Sequence, residues 1–384
     1  MTTNFRSGAR ISGGTRDISA ALEGMRRARE VLALGGKATD DLTRDFLTNC
    51  SLREMLRMWA ETYGFGEILE LPHQRAIARA IEISEAIRRE GHRNFGHGTA
   101  TFTDILSSHA SKAMLRGWEN AEHSWSKVAR ISTLPNLKTT TRVGLSEMLL
   151  AKVQENGEIP QTLRDDRAEH ITASTFAGMF NITREALVND DLEVMYRMPF
   201  EAGISASATI NARFWEIVTS ASGVGPTLRA TSRALFNATD GNYTASGGAP
   251  TVAALNTARA AMRKQKDPVT NRRLNIAPAI VCVPPELEGT ARVLVASEHI
   301  DGADGNLAVV VEPSLSDATN GDTAWYLFAD PERFDTFDVG LLDENGPLVD
   351  SKPGWSVDGI MNRVRIDFGV AALDFRGVYR NKGA

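Results

Sequence analysis

Apolar residues over the first ninety positions recur at helical rather than alternating spacing. Asp17 or Ser19 can cap a predicted helix with Ile18, Leu22, Met25, Ala28, Val31 and Leu32 on one face, and Gly35-Gly36 ends it. A second amphipathic stretch carries Leu52, Met55, Leu56, Trp59 and Ala60; a third, over 73–89, carries Ile77, Ile81, Ile83 and Ile87. The run 91–98 (GHRNFGHG) breaks the pattern and reads as a hinge. From Thr103 another apolar stripe, Ile105, Leu106, His109, Ala110, Ala113, Met114 and Trp118, predicts a further helix.

The character changes after residue 135. Strand-type residues at 136–143 (NLKTTTRV) and 170–182 (HITASTFAGMFNI) flank a charged middle, 153–169, that has little to bury. Two readings fit: a long hairpin projecting off a body, or an unstructured surface loop. The strand-like arms favour the hairpin, because structureless excursions of this length are uncommon in compact domains. Thr183 can cap one helical turn, and Asn189 or Asp190 the next. Pro199 fits the first turn of a helix and would break an interior, so the spacing predicts a helix from Pro199 to about Ser220. Phe200, Ile204, Ser207, Asn211, Phe214 and Val218 form one of its faces, and Gly203, Ala206, Ile210 and Ile217 the next.

Residues 221–250 are Gly, Ser, Thr and Ala rich and predict loop with short strands. Thr251 opens a helix over 252–265, with Ala253, Leu255, Ala258 and Met262 inward, and Asp267-Pro268 stops it. The apolar run 279–283 (AIVCV) predicts a buried strand ended by Pro284-Pro285, with a helix over 286–296 beyond. Strands are predicted at 307–311, 324–329 and 334–339, and the interval 340–354 is rich in turn residues. Near the end, Val364, Ile366 and Phe368 alternate with Arg363, Arg365 and Asp367, a strand buried on one face. Helices and strands are segregated, which predicts an α+β fold rather than a βαβ array.

Composition narrows the function without choosing it. A formal net charge of −5 argues against a protein that grips nucleic acid by charge. Cys50 and Cys282 lie far apart and outside any CxxC pair, which predicts free thiols in a reducing compartment. No window approaches the ~18 apolar residues of a membrane span. Phosphate-loop, HExxH and GxSxG signatures are absent, and Gly223, Gly225, Gly247 and Gly248 lack dinucleotide spacing. His92 and His97 read as solvated linker residues rather than metal ligands, and Asp190-Asp191 as helix capping. Asp165-Asp166 sits between Arg164 and Arg167 as a charge cluster suited to an interface rather than to acid–base chemistry. A hydrolase assembled from distant residues is the enzyme alternative, and no motif supports it.

The run 180–218 (FNITREALVNDDLEVMYRMPFEAGISASATINARFWEIV) resembles the heart of the Mu-like prophage major head subunit family, related to the capsid part of prohead protease–major capsid fusions. Also similar to that family, in the same order, are 101–121 with 153–161, 257–267 with 275–297, and 325–331 with 364–383. The resemblance covers about residues 100–384. It implies the tailed-phage major capsid (Johnson) fold: an N-terminal arm at 100–137, an extended hairpin loop at 138–172, and a peripheral domain at 173–249 and 346–384 with a spine helix at 192–220. The axial domain would be 250–345. Residues 1–99 would be a helical N-terminal extension without a protease domain.

Function by resemblance is that of a major capsid protein, not an enzyme and needing no cofactor. Its copies would form pentamers and hexamers of an icosahedral head around double-stranded DNA. An encapsulin-like compartment shell is the alternative. Implied partners are other copies of the chain, the portal, a prohead protease or scaffold, a decoration protein, and DNA held by weak contact, with no membrane. The location implied is the virion, after assembly in the host bacterial cytoplasm. The subunit-interface candidates are Glu155, Glu158, Arg164, Asp165, Asp166 and Arg167.

Overall fold

The computed structural model describes residues 56–57, 59–61, 65–71, 75–76, 79–80, 83, 102–121, 123–145, 166–183, 192–268, 270–297, 306–316, 323–342, 346–353 and 359–383. The predicted helix over 17–35, the hinge at 91–98, His92, His97 and Cys50 lie outside them. In chain order the main elements begin with α1 (Phe102–Asn120), the short α2 (Trp125–Val128), β1 (Arg130–Thr133), β2 (Thr140–Leu145), β3 (Asp166–Ile171) and β4 (Ser174–Thr183). Then come α3 (Leu192–Val218), β5 (Thr227–Leu228), β6 (Arg233–Ala234), β7 (Tyr243–Thr244), α4 (Val252–Arg263), β8 (Pro278–Val283) and α5 (Glu288–Ser297). The chain closes with β9 (Ala308–Val311), β10 (Trp325–Ala329), β11 (Phe337–Leu341), β12 (Leu348–Pro353), β13 (Gly359–Ala372) and β14 (Val378–Asn381). The fold class is α+β, as the segregation of patterns predicts.

The chain divides into two compact units. The first comprises Met1–Ala121, Ala177–Ala206 and Pro347–Ile366. Here α1 crosses the first half of α3 at two glycines: a Cβ on Gly117 would lie 1.9 Å from the Phe200 carbonyl oxygen, and one on Gly203 would lie 2.0 Å from that of Met114. Only hydrogen side chains let the backbones meet this closely. Ala110 and Met114 of α1 pack with Val349 and Val364, which belong to β12 and β13. Those strands run antiparallel, with Asp350 opposite Arg363 and ion-paired to it at 2.7 Å. β12 falls in the interval predicted as turn. Its sequence, LVDSKP, alternates weakly and ends in proline, so pairing with β13 rather than local propensity makes it a strand. In the same unit Trp59 is fully buried and stacks on Phe65, in the second predicted amphipathic stretch.

Pro199 corrects the predicted helix start. It sits buried inside α3, which begins seven residues earlier at Leu192. The helix forfeits the hydrogen bond to the carbonyl four residues back, and flanking turns carry it across. Twenty-seven residues give α3 a length of ~40 Å at about 1.5 Å per residue.

The second unit comprises Glu122–Phe176, Ser207–Gly346 and Asp367–Ala384. Its main sheet has the order β7-β14-β10-β8-β9. Every residue of β10 is buried, because both faces are covered. Trp325, Leu327 and Ala329 meet Leu255, Ala258 and Met262 of α4, while Tyr326 and Phe328 face Trp215 of α3. Thr251 caps α4 by accepting from the Ala254 N–H at 3.2 Å, as its sequence predicts. Ala253, expected inward, is exposed. β11 pairs with β1 in parallel and with β13 antiparallel, and Phe214 of α3 packs edge-on against Phe337.

The two strand-like arms do not pair with each other as a whole. β2 pairs with β3, which begins inside the charged middle at Asp166. The return arm instead supplies β4, which pairs with β13. Likewise the closing segment divides: β13 joins β11 and β12, whereas β14 lies between β10 and β7.

Candidate assembly surface at the hairpin root

β2 and β3 form a two-stranded antiparallel ribbon in register from Thr140 opposite Ile171 to Leu145 opposite Asp166. Thr141, Val143, Gly144, Ala168 and His170 are exposed. A lone two-stranded ribbon is marginal in water, so the root must hold it.

Three contacts do so, all within the second unit. Arg142 places Nε 2.8 Å from Oδ2 of Asp338, at an angle too oblique for a linear hydrogen bond. Its Nη2 donates to Ser132 Oγ at 2.5 Å and approaches the Thr133 carbonyl at 3.4 Å. Asp338 is 2% exposed in the otherwise apolar strand β11. Directly across the ribbon from Arg142, Glu169 is 6% exposed, and its two oxygens accept the N–H groups of Arg229 and Ala230 at 3.2 and 3.0 Å. Third, Ile171 clusters with Leu134, Ala173 and Ala371. This cluster lies over Gly340 and Gly369, which are opposite each other in β11 and β13. A Cβ on Gly340 would meet Leu134 at 2.6 Å, and one on Gly369 would meet the Thr172 carbonyl oxygen at 2.5 Å.

Beside this root lies a groove of about 1170 Å³. Its walls include Ile131 and Val143, 54% and 55% exposed, together with Phe334 and the Arg130–Asp335 ion pair at 2.5 Å. Exposed apolar side chains rimmed by paired charges suit a protein contact more than a small-molecule pocket.

A second buried polar cluster sits beneath α3. Glu312, 3% exposed, accepts from Ser124 Oγ, from Asn211 Nδ2 at 3.1 Å, and from Ser314 N and Oγ at 3.0 and 2.6 Å. Trp215 Nε1 donates to Ser124 Oγ at 2.7 Å. Ser124 and Asn211 tie two distant segments to one carboxylate that Ser314 holds locally, a structural rather than a chemical arrangement. Arg380 is buried between the rings of Tyr243 and Tyr326. Burial raises the Tyr326 hydroxyl above its usual range, with Arg380 opposing the shift. Burial also pushes the Cys282 thiol up, and the nearby Glu312 carboxylate adds to the shift. In a Cys50→Ser background Cys282 should therefore resist a thiol reagent at neutral pH until the chain unfolds; labelling of the folded protein within minutes would contradict this.

Among the described residues no group of three or more His, Cys, Asp or Glu side chains could hold a metal ion. No helix among them is long and apolar enough to cross a membrane. Of the interface candidates, Asp166 and Arg167 open β3 opposite Leu145 and Gly144. Glu155, Glu158, Arg164 and Asp165 lie outside the described residues. Sequence reasoning missed Arg142, Glu169, Asp338 and Glu312. Asp338 and Glu312 did carry a signal, a lone acid within or ending an apolar strand. Arg142 and Glu169 look like ordinary surface charges.

In solved structures the chain is similar to the virus-like particle from Pyrococcus furiosus, at 12% identity and TM-score 0.42 over 72% of this chain and 97% of that one. It is also similar to the capsid of cyanophage P-SCSP1u, at 12% identity and TM-score 0.45 over 69% and 89%. A third likeness is to the capsid of Myoviridae phage XM1, at 13% identity and TM-score 0.40 over 69% and 98%. Likenesses this distant leave the assignment to the sequence family. No curated protein matches the chain. The family model described as phage capsid protein matches residues 167–381, more than half of the sequence, and the chain belongs to that family.

Proposed function

We propose that this chain is the major capsid protein of a tailed phage or prophage, of the Mu-like head-subunit kind. Its copies build pentamers and hexamers of an icosahedral head around double-stranded DNA, and its place is the virion. Beside the family membership, the observation that carries this reading is the ribbon β2–β3, held at its root and exposed beyond it. A ribbon that leaves Thr141, Val143, Ala168 and His170 exposed on its own subunit finds cover for that face on a neighbour. Specific interfaces remove ~1,600 Å² from solvent, and head-to-tail contacts close into rings when the rotation allows.

In this reading 100–137 is the N-terminal arm, 138–172 the extended loop, 173–249 and 346–384 the peripheral domain, and 250–345 the axial domain. Glu155, Glu158, Arg164, Asp165, Asp166 and Arg167 meet complementary charges on neighbours. Portal, prohead protease or scaffold act during assembly in the bacterial cytoplasm. The net charge of −5 keeps the contact with packaged DNA weak.

Negative-stain microscopy of the purified protein should show shells, capsomers or curved sheets. A chain that stays monomeric at every concentration and salt overturns the reading, and so do shells filled with a protein cargo in place of DNA in the native host. Deleting Gly144–Asp166 should leave the far-ultraviolet circular dichroism close to that of the parent while closed shells disappear. Normal shells from the deletion would make the ribbon dispensable.

A further inference from the structure

We infer that Arg142, Asp338 and Glu169 form a two-sided clamp that sets the angle at which the β2–β3 ribbon leaves its subunit, making them positioning residues for shell curvature. The consequence for the shell rests on the capsid reading above; the clamp itself does not.

The ribbon's two strands are tied down independently and with opposite chemistry. β2 offers a cation to a carboxylate buried in β11, and β3 offers a carboxylate to two backbone N–H groups just beyond β5. Arg142 and Glu169 are cross-strand neighbours and therefore project from the same face of the ribbon. One anchor would leave the ribbon free to swing about it. Two anchors, with Ile171 seated over the Gly340–Gly369 pair as a third point, define an orientation.

Burial gives the clamp its stiffness. Asp338 and Glu169 are nearly inaccessible, so water cannot substitute for their partners, and a carboxylate shielded in this way interacts more strongly than an exposed one. The three residues of β2 beyond Arg142 span ~10 Å at about 3.4 Å per residue, so a change of about 10° at this anchor already moves Leu145 by ~1.8 Å. Contacts between subunits do not tolerate such a displacement without a change in the angle between them. The surface ion pair nearby, Arg130–Asp335, is about half exposed on both sides and has no comparable grip.

The test compares the parent with Glu169→Ala and with the double variant Arg142→Gln/Asp338→Asn, which removes both charges together and leaves no buried carboxylate without its cation. Arg142→Lys keeps the charge but loses the fork to Ser132 and Thr133. Amide hydrogen exchange on unassembled protein should be ~tenfold or more faster along β2 and β3 in the double variant and in Glu169→Ala, with β8 and β10 unchanged and Arg142→Lys intermediate. In assembled samples the same variants should give particles of broader diameter distribution, or open sheets. Unchanged exchange in the ribbon overturns the clamp, and so does acceleration that is equal in β8 and β10, which marks general destabilisation. Loosened ribbons that still form particles of parental diameter overturn its role in curvature. If the parent itself forms no particles, the capsid reading fails, and the exchange experiment still decides the clamp.

Discussion

Gly203→Ala is expected to destabilise the first unit by about 2–4 kcal/mol, although alanine is the better helix former by about 1 kcal/mol. The new methyl carbon would lie 2.0 Å from the Met114 carbonyl oxygen and 2.8 Å from the Trp118 nitrogen. Carbon and carbonyl oxygen rest at about 3.3–3.6 Å, and a backbone oxygen has no rotamer to escape into. The helices α1 and α3 must therefore separate, and separation opens the packing of Ala110 and Met114 on Val349. Gly117→Ala should behave alike, since its methyl would meet the Phe200 carbonyl. Gly289 in α5 is the control: nothing lies within 4 Å of its added Cβ, so Gly289→Ala should be neutral or stabilising by up to about 1 kcal/mol. Calorimetric melting of the three variants checks the ordering. A Gly203→Ala protein that melts with the parent would mean that the helices do not cross at this point.

Glu312→Ala should cost about 2–4 kcal/mol, the penalty of stranding several buried donors at once. Asn211 Nδ2 and Ser314 N and Oγ lose their acceptor, while Ser124 Oγ keeps Asn211 Oδ1 at 2.9 Å. The Ser124 hydroxyl has one proton, faces both Glu312 and Asn211 Oδ1, and already accepts from Trp215 Nε1. Glu312→Gln keeps one acceptor oxygen but turns an NH2 toward other donors, so it should fall between parent and alanine. Equilibrium unfolding measures the cost, and tryptophan fluorescence should shift as Trp215 loses its ordered partner. Equal stability of Glu312→Ala and the parent would show that water replaces the carboxylate and that the cluster is not dry.

Several parts of this architecture can be read from short stretches of residues. AIVCV and the WYLFA run at 325–329 are apolar at every position, which requires cover on both faces, and the structure supplies it with α3 on one side and α4 on the other. Thr251 caps the helix that its side chain predicts. Other parts cannot be read that way. Pro199 reads as a helix start because its local cost is known, whereas the turns before it come from the long helix as a whole. LVDSKP reads as turn and becomes β12 because β13 lies beside it. Arg142 and Glu169 carry no mark that distinguishes them from other surface charges.

Element type, element order and the exposed character of the ribbon rest on periodicity and propensity, which act over a few residues and are written locally, and the family likeness rests on the residues of short runs. The glycine crossings and the contacts of Asp338, Glu169 and Glu312 join residues about 60 to 200 positions apart, and strand partners range from the adjacent β12 and β13 to β1 and β11, far apart in the sequence. No local pattern encodes such pairings, because they form only when distant segments compete for the same core and one arrangement buries the most apolar surface with its polar groups satisfied.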